Sequence, residues 1–111
     1  MSETKAGLKT QSFAQTEFAV MQWATDRGIY KHGTAVGQAK KALSEIQELI
    51  EAIEAGDKTE AELEAGDVVV CLVNTCALLD IDLRQAFYKA YKKIEKRKGY
   101  LNAEGVFVKS E

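Results

Sequence analysis

Two pairs of acidic residues in this 111-residue chain have the types and the spacing to do chemistry together. Glu45 and Glu48 form one ExxE pair, Glu64 and Asp67 form an ExxD pair, and fifteen residues separate the two. On a helix, residues three apart share a face, so each pair would present two carboxylates to one space. Carboxylates that converge repel, and some are forced to take up protons unless a hard divalent cation accepts their oxygens. Oxygen-only donors favour magnesium, with manganese as a substitute, over zinc.

Whether the pairs converge depends on the elements that carry them. The stretch ELEAGDVVVCLVN, residues 62 to 74, can be read as a Gly-Asp turn running into a buried strand of valines. It can equally be read as helix, and TEAE, residues 59 to 62, fits a capping box that would start a helix there and carry it to about Leu79. Wound at about 100° per residue, that helix places Glu60, Glu64, Asp67, Cys71 and Asn74 within a sector of roughly 80°. Nearly everything else on the cylinder is apolar, the pattern of a buried helix, and a buried helix needs a reason for an acidic stripe. The plainer reading is an exposed first turn favoured by the helix dipole, with Asp67 paired to a lysine. Gly66, on the side away from Glu64, is expected at a close helix contact.

The remaining punctuation is helical as well, with no proline and with Gly28, Gly56 and Gly99 each placed where a helix C-terminal cap would fall. A first helix is expected over residues 10 to 27. After GIYKHG, Thr34 can cap a second, whose Val36, Ala39, Leu43, Ile46, Ile50 and Ile53 repeat at spacings of three and four and make a packing seam. Glu45 and Glu48 lie away from that seam but beside Ala42, Leu49 and Ala52, small residues that suit close approach by another helix. Asp82 with Gln85 starts a fourth helix, with Leu83, Ala86, Phe87, Ala90, Tyr91 and Ile94 on its apolar face and Lys89, Lys92, Lys93 and Lys96 opposite. Four helices and no strand make an all-α, four-helix bundle-like protomer.

Bulk properties narrow the field. The length suits one domain spanning residues 1–111, with residues 1–9 as a mobile N-terminal tail. A net charge of −2 argues against a general binder of nucleic-acid polymers or membrane surfaces. No apolar run approaches the ~20 residues of a membrane span and the start lacks a secretory signal, so a cytoplasmic protein is the expectation. Cys71 and Cys76 would lie about 140° apart on a helix and are expected as reduced thiols.

The paired motif, the downstream Asn74 and the basic fourth helix together resemble the MazG-like nucleotide pyrophosphohydrolases of the all-α NTP pyrophosphatase superfamily. LSEIQELIEAIEAGD resembles that family's second-helix segment, ELEAGDVVVCLVNTCALLDIDL its third helix and following turn, and KKIEKRKGYLNAEGVFVK its basic C-terminal end. The likeness covers about residues 34 to 108. One departure is Ser44, where many relatives carry a further glutamate.

The resemblance implies a magnesium-dependent enzyme that cleaves a nucleoside triphosphate to the monophosphate and pyrophosphate, cleaning or shaping the nucleotide pool. It implies an active site between the second, third and fourth helices, completed by self-association into a homodimer or homotetramer. Glu45, Glu48, Glu64 and Asp67 would be the metal-binding and catalytic residues. Lys93, Lys96 and Arg97 are candidates for phosphate contacts, Asn74 for the sugar or a ligand carboxylate, and Trp23 and His32 for the base. Tyr100 and Phe107 are further candidates, equally explained by packing on a partner subunit, as Trp23 is by the core. Phosphoribosyl-ATP pyrophosphohydrolase is a related alternative, but GDVVVCLVN lacks the histidine expected there. The alternative from another class is a non-catalytic helical dimerisation module whose acidic stripes bind lysines.

Overall fold

A computed structural model of the chain describes residues 10 to 110, so the expected tail, residues 1 to 9, lies outside the described residues. The fold is all-α, with five helices and one small hairpin. Helix α1 (Phe13–Asp26) begins later than expected because Ser12, not a residue nearer Thr10, makes the capping box: its Oγ accepts from Gln15 N at 3.1 Å while Gln15 Oε1 accepts from Ser12 N at 2.9 Å. It ends where Gly28 takes a left-handed conformation (φ 78°), and that turn leads straight into α2 (Ile29–His32), a single helical turn where a loop was expected. Helix α3 (Ala35–Glu54) is capped by Thr34, as its sequence indicates, with Oγ1 accepting from Gly37 N at 3.1 Å.

Helix α4 (Lys58–Leu78) settles the ambiguity of the valine stretch, since residues 65 to 72 are helical throughout. Its cap is Asp57, which accepts from Glu60 N at 3.0 Å, and not Thr59. Asp57 stands two residues earlier and is an equally good N-cap type, so the helix starts at Lys58 and Thr59 falls inside its first turn. The far end closes in a Schellman turn, with Ile81 N donating to Cys76 O at 2.8 Å and Asp80 held at φ 57°.

Helix α5 (Leu83–Ile94) starts at Asp82 as expected, with Oδ1 accepting from Gln85 N at 3.2 Å. Gly99 is not its terminal cap. It opens strand β1 (Gly99–Leu101), which pairs antiparallel with β2 (Phe107–Lys109), Tyr100 opposite Val108. A Cβ at Gly99 would strike the Val108 carbonyl and the Phe107 ring, so the close strand approach requires glycine. The turn is closed by Asn102, whose Oδ1 accepts from the backbone N–H of both Glu104 and Val106.

The chain divides into two compact units, one ending at Ile81 and the other beginning at Asp82. In the first, α3 lies along α4, and α1 and α2 also pack on α4. The faces in contact are not the ones that hydrophobicity alone would choose. Ala42, Glu45 and Ala52 of α3 and Glu64, Cys71, Val73 and Asn74 of α4 are buried. The isoleucine seam of α3 is not: Leu43 is 68% and Ile53 61% exposed, and Val36, Ile46 and Ile50 are exposed with them. Small alanines beside the glutamates let α3 and α4 approach closely, and this contact takes precedence over the aliphatic row. Gly66 does not mark a close helix contact. It lines an apolar cleft of about 170 Å³ with Phe13, Val20, Val69 and Val73, and a Cβ there would meet nothing within 4 Å.

Candidate metal centre

Helices α3 and α4 carry their acid into the contact between them. Glu45 and Glu64 are 8% and 7% exposed, while Glu48, one turn beyond Glu45, reaches the same place from an exposed position. One carboxylate oxygen from each of these three residues lies within 4.8 Å of the others. Oxygens at that separation can be bridged by one hard cation. Asp67 is exposed, one turn past Glu64 on the same stripe, and does not join the three. Among the described residues it forms no ion pair, so the plainer reading of a lysine-paired aspartate finds no support.

The electrostatics of the cluster are those of crowded acid. The carboxyls of Glu60 and Glu45 beside it, together with burial, push the Glu64 carboxyl up to about 8. Its Oε1 is fully buried and has no hydrogen-bond partner. An orphaned, buried carboxylate oxygen on a residue clustered with two more carboxylates is what a cation-binding site looks like from the protein's side, and the donors are all hard oxygens. Glu45 shifts the opposite way, held below the usual carboxylate range first by Lys41, whose Nζ donates to Oε2 at 3.1 Å. Lys41 was not among the residues singled out from the sequence. Its signal was the i, i+4 spacing to Glu45, which many solvated helix pairs share. Ser44, at the departure from the family pattern, turns its hydroxyl back to Lys41 O at 2.8 Å.

Further along the α4 stripe, Cys71 is a buried free thiol, raised by burial, and Cys76 is also free. Asn74 is 2% exposed, and its Oδ1 accepts a hydrogen bond from the Tyr30 hydroxyl at 2.7 Å. Tyr30, from α2, was likewise missed; only its place between the two glycines of GIYKHG hinted at a fixed position. Trp23 is outside the core, 45% exposed, with the Arg27 guanidinium 5.5 Å from its ring centroid, and His32 is exposed at the end of α2. The three basic candidates belong to the second unit. Lys93 is in the last turn of α5, Lys96 follows it in an exposed position, and Arg97 is half-buried. Tyr100 and Phe107 are exposed on the hairpin.

The cluster thus consists of glutamates on two antiparallel neighbours in sequence, with the i, i+3 pair of α3 facing an α4 acid. Over residues 37–101, more than half its length, the chain matches the MazG nucleotide pyrophosphohydrolase domain. The chain belongs to that family. No curated protein and no solved structure matches it. No helix of the described residues is long and apolar enough to cross a membrane.

Proposed function

We propose that the protein is a magnesium-dependent nucleoside triphosphate pyrophosphohydrolase that acts on free nucleotides, deoxynucleotides foremost. The observation that carries this reading is the Glu45, Glu48 and Glu64 cluster, together with the buried, unpartnered Oε1 of Glu64. Those three residues would hold the metal, with Asp67 as a fourth ligand drawn from its exposed position. Bound magnesium supplies charge neutralisation for the triphosphate and Lewis-acid assistance to the attacking water.

The reaction joins a water oxygen to phosphorus and breaks the P–O bond between the α- and β-phosphates, releasing the monophosphate and pyrophosphate. The water proton goes to a carboxylate, either one of the ligands or another near them, acting as general base. Lys93, Lys96 and Arg97 are proposed to meet the phosphates where charge accumulates. Asn74 is assigned to the nucleoside, with Trp23 and His32 for the base; the exposed Trp23 ring is free on part of its surface to stack. Manganese is expected to substitute for magnesium.

Self-association belongs to the same reading. The exposed aliphatic row of α3 supports it, since a homodimer or a dimer of dimers would remove that surface from water. The purified protein is expected to release pyrophosphate from deoxynucleoside triphosphates only with a divalent metal, and Glu48→Gln or Asp67→Asn to abolish release. No metal-dependent cleavage of any common or damaged triphosphate would end the enzyme reading. In a non-catalytic helical module, magnesium would leave the melting temperature unchanged, whereas a ligand that binds only the folded state raises it by mass action.

A further inference from the structure

Three carboxylates meet between α3 and α4, and one cation already stands against them. Lys41 Nζ donates to Glu45 Oε2 at 3.1 Å. Among the described residues, neither Glu48 nor Glu64 forms an ion pair. In an ordinary i, i+4 surface pair both ends stand in water and the contact contributes little. Here the lysine side chain is 59% exposed and the glutamate side chain only 11%, so the end that belongs to the cluster is the one withdrawn from solvent.

Two features give this contact a role toward the metal. A carboxylate has two oxygens, and the cluster draws on a single oxygen from each of its three glutamates. Glu45 can therefore keep Lys41 on Oε2 and still supply an oxygen to a cation. The second feature is charge. Three ionised carboxylates exceed one divalent cation by one negative charge, and the ammonium supplies the missing positive one. Nothing at the next position on that face draws Lys41 away, since Ser44 is uncharged and turns its hydroxyl to Lys41 O at 2.8 Å.

We infer that Lys41 is a positioning residue for the metal: its ammonium stays on Glu45 Oε2 when a divalent cation binds, holding that carboxylate in place and balancing the charge of the cluster. The inference rests on the metal-dependent reading above. Partners that hydrogen-bond a ligating carboxylate from behind orient it, and their loss costs about tenfold to a hundredfold in metal affinity. Lys41 touches neither the metal nor the reacting phosphorus. Were it instead a competitor that the metal must expel, its removal would tighten binding, so the sign of one measurement separates the two roles.

That measurement is manganese binding to the nucleotide-free protein, followed by the electron paramagnetic resonance of free Mn2+, so that no turnover enters it. Lys41→Met is expected to raise the Kd about tenfold to a hundredfold, with the metal-free circular dichroism unchanged. Lys41→Arg keeps the charge and the donor and should recover part of the affinity. Lys40→Met removes the same charge from an exposed position about 100° round α3, and should move the Kd by less than about threefold. In a Glu45→Gln background, Lys41→Met should have no further effect. If Lys41→Met does not fold, Lys41→Gln is measured in its place with the same expectation. An unchanged or lower Kd in the neutral variant, an equal loss in Lys41→Arg or Lys40→Met, or an undiminished effect in the Glu45→Gln background would overturn the assignment. A wild-type protein that binds no manganese and releases no pyrophosphate would instead overturn the function on which it rests.

Discussion

Glu64 concentrates the physics of the site in one side chain. Its carboxyl is pushed from the ordinary 4.5 up to about 8, first by Glu60 and Glu45 and then by burial. A carboxyl that holds its proton more tightly in the folded chain stabilises the fold at low pH and stops doing so as pH rises through the folded value. The metal-free protein is therefore expected to lose melting temperature as pH climbs from about 4.5 to about 8. Glu64→Gln should flatten that slope in a pH series of melts with EDTA and abolish the rise produced by magnesium. In the wild type, the magnesium-induced rise should grow with pH over the same window, because the cation competes with the proton. Lys41 works with the opposite sign. It holds the Glu45 carboxyl down, a contribution present above the ordinary carboxylate range and lost as pH falls through the depressed value. Lys41→Met is expected to move the acid limb of the melting curve to higher pH. The three clustered glutamates were legible because spacing alone fixes the face of a helix. Lys41 and Tyr30 were not, since one depends on a rotamer and the other on a contact forty-four residues away. Asp67 shows the limit from the other side: it shares the stripe, but its side chain stands outside the cluster.

Among the elements, the turn after α4 carries a cost that a single change would relieve. Asp80 sits at φ 57°, a region where a side chain costs roughly 1 kcal/mol and glycine costs almost nothing. Asp80→Gly is expected to stabilise the protein by about 1 kcal/mol in urea unfolding without altering metal binding. The caps explain which boundaries could be read. Thr34 and Asp82 stand alone before apolar-periodic runs, and both cap as their sequence indicates. Asp57 and Thr59 compete two residues apart, and the earlier one wins. The hairpin had no comparable signal, because its strands are three residues each and its turn depends on one asparagine side chain bonding two backbone groups. Helix α2 is equally short, held between Gly28 and Gly33, and periodicity has no purchase on a single turn.

At the scale of the whole molecule, the buried apolar residues are small: Ala24, Ala42, Ala52, Cys71 and Val73 among the described residues. A fully buried isoleucine is worth about 1.5–3 kcal/mol, and the isoleucines of α3 contribute little of that while they remain 39% to 61% exposed. The proposed assembly would recover this energy. Ile50→Asp is accordingly expected to shift the protein to monomer in size-exclusion chromatography with light scattering, and to lower its melting temperature. The wild-type melting temperature should fall on dilution. The seam was legible as a seam from its spacing; that it faces outward was not, since periodicity identifies an apolar face without naming its occupant. Under the proposed self-association, a chain that keeps its glutamates inside and its isoleucines outside would tie its integrity to its own abundance. If two copies must meet before the fold is secure, halving synthesis removes more than half of the working protein. The unpaired remainder, with its aliphatic row uncovered, is what proteases and chaperones would meet first.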